Sequence, residues 1–64
     1  MNPHFFYQDE QGDGRYIDLS KIIEMWNTGE GWTCFLDGAY TASPFTDICG
    51  RLVFDALKEY RHGT

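Results

Sequence analysis

The sequence predicts an α+β fold: a small antiparallel β-meander of four to five strands, with one C-terminal amphipathic helix packed across one face. Three observations predict it. The last third carries apolar residues at an unbroken helical spacing. An Asp-Gly pair lies between two β-favouring runs. The first third alternates short aromatic runs with glycines and acidic turn formers.

Taken in order, HFFYQ (His4 to Gln8) is a short aromatic strand, and DEQGDG after it is a turn. RYID (Arg15 to Asp18) resumes in extended form, so the two runs make a hairpin with strands at about 4–8 and 15–19. Leu19 to Trp26 is ambiguous. Leu19, Ile22, Ile23 and Trp26 fall at helix spacing with Asp18 as a cap. Ile-Ile and Met-Trp suit a strand, with LSK as a kink between strands. The strand, at about 22–26, is the reading carried forward, and the helix is its alternative. NTGEG is a turn.

In WTCFL-DG-AYTAS the Asp-Gly pair predicts a two-residue type I′ turn joining strands at about 32–36 and 39–42. Leu36 then pairs with Ala39, Phe35 with Tyr40, Cys34 with Thr41, and Thr33 with Ala42. Trp32, Cys34 and Leu36 share one face, while Phe35 and Tyr40 share the other. The helix runs over about 44–61, with Ser43 as N-cap and Pro44 at the first helical position. Phe45, Ile48, Cys49, Leu52, Val53, Ala56, Leu57 and Tyr60 form its apolar stripe. Asp47–Arg51 and Asp55–Lys58 pair on the opposite side, where Phe54 also falls. Gly50, inside the helix, marks close packing or is tolerated at a cost of up to ~1 kcal/mol. In outline, YIDLSKI followed by a turn, a hairpin and a helix resembles the layout of many small bacterial and phage proteins. That likeness has no diagnostic motif and implies no family or function.

Composition narrows the function classes. The 64 residues make one domain, which is marginal alone because so small a chain buries only ~60% of its unfolded surface. A hydrophobic fraction of 42% argues against disorder. The N-terminal residues lack the basic start and apolar stretch of a signal peptide, and no run is apolar enough for a transmembrane helix. Cys34 and Cys49 form no CxxC pair, so both are expected to be reduced small apolar residues in the cytoplasm of a bacterial or phage-infected cell. A disulfide between them is the alternative. The formal net charge is −5, and residues 1–37 carry all of it, with seven acidic against two basic side chains. Such a chain repels phosphate, so direct nucleic-acid binding is not expected, and the acidic half reads either as a plain solvated surface or as one that suits a basic protein partner.

DEQGDGRYIDLSK also invites a calcium reading, because Asp9, Gln11, Asp13 and Gly14 fill loop positions 1, 3, 5 and 6 of a helix-loop-helix site. Position 12 is Ser20, or Lys21 with one insertion, where a bidentate carboxylate is needed. An entering helix would have only eight residues, with Pro3 among them. Zinc would need Cys34, Cys49, His4 and His62, whose spacing fits no known pattern. A triad from Ser20 or Ser43 with His4 or His62 is better explained by capping and by a fraying end. TGEGW lacks the GK[ST] of a phosphate loop. No cofactor, metal or catalysis is therefore expected.

The expectation is a non-catalytic, small acidic protein-interaction module, a homo-oligomer and most simply a dimer. It would act as a regulator or inhibitor, of the kind phages encode, on a basic protein surface. Its interface is expected at Phe35, Tyr40, Phe54, Trp26 and Trp32, since one helix covers only one sheet face. Asp9, Glu10, Asp13 and Asp18 would form the acidic surface. The first alternative is an oligomer with nucleotide-like ligands in pockets between subunits. Trp26, Trp32 and Tyr40 would line these pockets, with Arg15, Lys21 or Arg51 as the anion contact. The second is a structural subunit of a larger assembly. No membrane partner is expected.

Overall fold

The computed structural model describes residues 2–63. The order is β1 (His4–Gln8), β2 (Gly14–Asp18), a 3-10 turn (Leu19–Lys21), β3 (Ile22–Asn27), β4 (Trp32–Leu36), β5 (Ser43–Phe45) and α1 (Asp47–His62). The α+β class and the C-terminal helix lying across the strands are as expected. The strands, however, form two antiparallel sheets: a β1–β2 hairpin and a β3–β4–β5 sheet. The break lies at Leu19–Lys21. Asp18 caps this turn by accepting the Ser20 N–H at 2.9 Å, and the Leu19 N–H donates to the Pro3 carbonyl at 2.8 Å. LSK is thus a kink, and the apolar residues after it continue as a strand.

The two halves share one small core. Leu19, Ile22, Cys34, Val53 and Leu57 are buried together, with Phe5, Tyr7, Ile17, Met25 and Phe45 packed around them. Trp32, Cys34 and Leu36 alternate along β4 with Thr33 and Phe35, and Cys34 is fully buried. Gly50 is required here. A Cβ on it would stand 2.5 Å from Trp32 Cδ1 and closer still to Cβ and Cγ, so the indole lies directly against the helix backbone.

Two boundaries differ from expectation. The Asp-Gly turn is not type I′, which needs positive φ at both central residues. Only Gly38 has it, at φ +85°. The Ala39 N–H donates to the Leu36 carbonyl, while the Asp37 N–H is drawn to Lys21 and donates to its carbonyl at 2.8 Å. The chain therefore bows out over 37–42, and the strand expected at 39–42 forms at Ser43–Phe45. Cys34 pairs with Ser43 in place of Thr41, a slip of two residues that keeps every β4 side chain on its predicted face. Ser43 and Pro44 are then strand residues, and Pro44 is tolerated because β5 is an edge. The helix cap passes to Thr46, whose Oγ1 accepts the Cys49 N–H at 3.3 Å. At the other end the Gly63 N–H donates to the Glu59 carbonyl, and Arg61 donates to the Ile22 carbonyl at 2.6 Å.

Candidate functional site

Strand alternation splits the aromatics of the hairpin between its two faces. Phe5, Tyr7 and Ile17 turn to the core, and Phe6 and Tyr16 turn out. The register sets Phe6 directly opposite Tyr16, and both rings are about two-thirds exposed, at 67% and 68%. The His4 ring stacks on Tyr16 with centroids 5.2 Å apart. The Phe6 ring lies over Gly14, where a Cβ would come within 2.8 Å of it. The result is a flat aromatic plate. Neither Phe6 nor Tyr16 was expected from sequence, although pairing HFFYQ with RYID across its turn would have brought them together.

The β3–β4–β5 sheet has an open face as well. Glu24 pairs with Phe35, Trp26 with Thr33, and Thr33 with Pro44, all on the side away from α1. Trp26 is 39% exposed and Phe35 half-buried. Tyr40 lies in the bowed loop and is completely exposed. Two expected interface residues sit elsewhere. Phe54 packs on Trp32 with ring centroids 4.5 Å apart, and Lys58 Nζ stands 5.3 Å from the Phe54 centroid. The polar flank of the helix thus borders β4, and Trp32 and Phe54 close the core rim. Trp32, which the reading with pockets between subunits also uses, packs against Gly50 and Phe54.

The acidic turn is largely occupied with itself. Asp9 Oδ1 accepts the N–H groups of Gln11 and Asp13 at 3.0 and 2.9 Å, and Oδ2 accepts Arg15 Nε at 2.9 Å. Arg15, with these backbone donors, holds the Asp9 carboxyl below its ordinary range. Asp18 is lowered mainly by its hydrogen bonds from Ser20, with His4 Nε2 3.9 Å away. Of the four carboxylates expected to face a partner, Glu10 and Asp13 remain without a side-chain partner among the described residues.

Between the hairpin tip and the β5–α1 corner lies a cleft of about 380 Å³. Tyr7 and Phe45 line its apolar side, with ring centroids 6.4 Å apart, and Asp9, Glu10 and Arg15 its charged side. Burial raises the Tyr7 hydroxyl above its usual range. Arg15 is committed to Asp9, so the cleft presents no uncompensated positive charge. The two thiols are free and buried. Burial pushes Cys34 up, and Cys49 lines the cleft floor. His4 and His62 sit apart from them, on the hairpin and at the helix end. Among the described residues, no three metal-binding side chains cluster, and no helix is long and apolar enough to cross a membrane.

No family model, curated protein or solved structure matches the chain.

Proposed function

We propose that the chain is a non-catalytic interaction module that works as a homo-oligomer, most simply a dimer, and acts as a regulator or inhibitor of a basic protein. The observation that carries this reading is the pair of apolar faces the domain leaves uncovered: Phe6 with Tyr16, and Trp26 with Phe35. Apolar surface of this kind marks interaction sites. The whole chain exposes 4530 Å², against ~4200 Å² for a compact monomer of its mass. The excess net charge of −5 supports a basic partner, reached through Glu10 and Asp13.

Sedimentation from micromolar to sub-micromolar protein tests the oligomer. The expected result is a mass above 7.4 kDa that falls on dilution, and a monomer throughout would overturn it. For the partner, the expected result is capture from host extract that Glu10→Lys with Asp13→Lys abolishes and high salt weakens. Capture indifferent to both would remove the electrostatic part.

A further inference from the structure

The cleft between the hairpin tip and the β5–α1 corner has two unlike walls. One is aromatic. Tyr7 lies on the inward row of β1 and Phe45 ends β5, so both are seated on the core. Their ring centroids stand 6.4 Å apart at an interplanar angle of 58°, and both line the cleft of about 380 Å³. That volume lies at the small end of the roughly 300–1,000 Å³ of ligand pockets and has room for one long side chain.

The other wall is acidic. The Asp9 side chain is only 15% exposed and is fixed by the N–H groups of Gln11 and Asp13 and by Arg15 Nε. Its charge and that of Arg15 offset each other at 2.9 Å. Glu10 lines the same cleft, is exposed, and makes no ion pair among the described residues. The first turn of α1 also borders the cleft, but it carries its own carboxylate at Asp47, and Thr46 Oγ1 takes up the Cys49 N–H. The charge left over on the cleft is therefore that of Glu10, beside two rings.

We propose that this cleft receives an arginine side chain of the basic partner, with the guanidinium against Tyr7 and Phe45 and paired with the Glu10 carboxylate. This rests on the basic-partner reading above and gives it a site and a residue type. A cation is attracted to both walls, to the carboxylate by its charge and to the rings by their electron-rich faces. An anion would meet Glu10 with Arg15 already engaged, on a chain of net charge −5. Arginine suits the cleft better than lysine. Its planar group stacks on aromatic rings, forks onto a carboxylate and is weakly hydrated, whereas an ammonium is compact and holds its water. Asp9 holds the tip and the core holds both rings, so little ordering cost remains on this side of the contact.

Nuclear magnetic resonance titration of the full chain with N-acetyl-arginine methylamide tests this. The expected dissociation constant is on the order of millimolar, from one exposed ion pair and one ring contact. Ring protons of Tyr7 and Phe45 should show contacts to the δ-methylene of the ligand. Glu10→Gln should weaken binding about threefold. Glu24→Gln, the same charge change on the open face of β3, should leave it unchanged. The corresponding lysine compound should bind more weakly. Equal losses from the two variants, or no ring contacts, would reduce the attraction to diffuse charge and overturn the proposal. Tighter binding of the corresponding glutamate compound would overturn it too and assign the cleft to an anion on Arg15. Either failure leaves the basic partner standing if host capture is still lost in Glu10→Lys with Asp13→Lys. A parent chain that captures nothing would remove the partner as well.

Discussion

The β3–β4–β5–α1 half and the β1–β2 hairpin use their aromatics in opposite ways. In the first, Trp32 lies on Gly50 and under Phe54, and Val53 and Cys34 are sealed from solvent. In the second, only the inner row of Phe5, Tyr7 and Ile17 meets the core, while Phe6 and Tyr16 face outward. Its turn is held by the polar bonds of Asp9. One half is closed by packing against its own helix. The other is a two-stranded ribbon, a form that is marginal without further cover. The contrast sets a half sealed against its own helix, with an open sheet face at Trp26, beside a ribbon whose outer rings have no cover at all.

Breaking the closed half has the largest expected effect. Gly50→Ala drives a methyl group into the Trp32 ring, and we expect a loss of about 3 kcal/mol with a melting temperature lower by ~15 °C. Calorimetry checks this, and an unchanged melting temperature would mean the indole moves aside freely.

A smaller effect concerns acid. The folded pKa of Asp9 is depressed, so its contribution is complete at neutral pH and fades as pH falls through the ordinary carboxylate range. Amide exchange in β1 and β2 should accelerate toward pH 3 relative to β4, after correction for intrinsic rates. Asp9→Asn should flatten that difference. The smallest effect is on the outer plate: Phe6→Ser in a dilute, monomeric sample should change fold stability by no more than ~0.5 kcal/mol. A large loss would show that Phe6 belongs to the core after all.

How much of this was legible in the sequence also divides along the two halves. The faces of β4 follow from period two alone and survive the shift in turn geometry, because a slip of two residues preserves facing. The helical stripe placed Cys49, Val53 and Leu57 correctly in the core, yet Ile48 and Leu52 are 62% and 45% exposed. The Asp-Gly signal misled because Asp37 is pulled to Lys21, a contact from outside the local sequence. Phe54 misled for a similar reason: β4 and its Trp32 approach the helix from the flank that the charged residues had marked as polar. The hairpin's outer plate lay within reach of a register argument. Composition alone marks HFFYQ as a short aromatic strand and does not say which of its rings face out.

Hydrogen exchange, resolved by strand at two protein concentrations, tests the central claim most directly. If the hairpin's bare outer face is the one that self-associates, its β1 and β2 amides gain protection as concentration rises, while those of β4 do not change. Exchange in the hairpin that is equally fast at both concentrations, while the measured mass doubles, would contradict it.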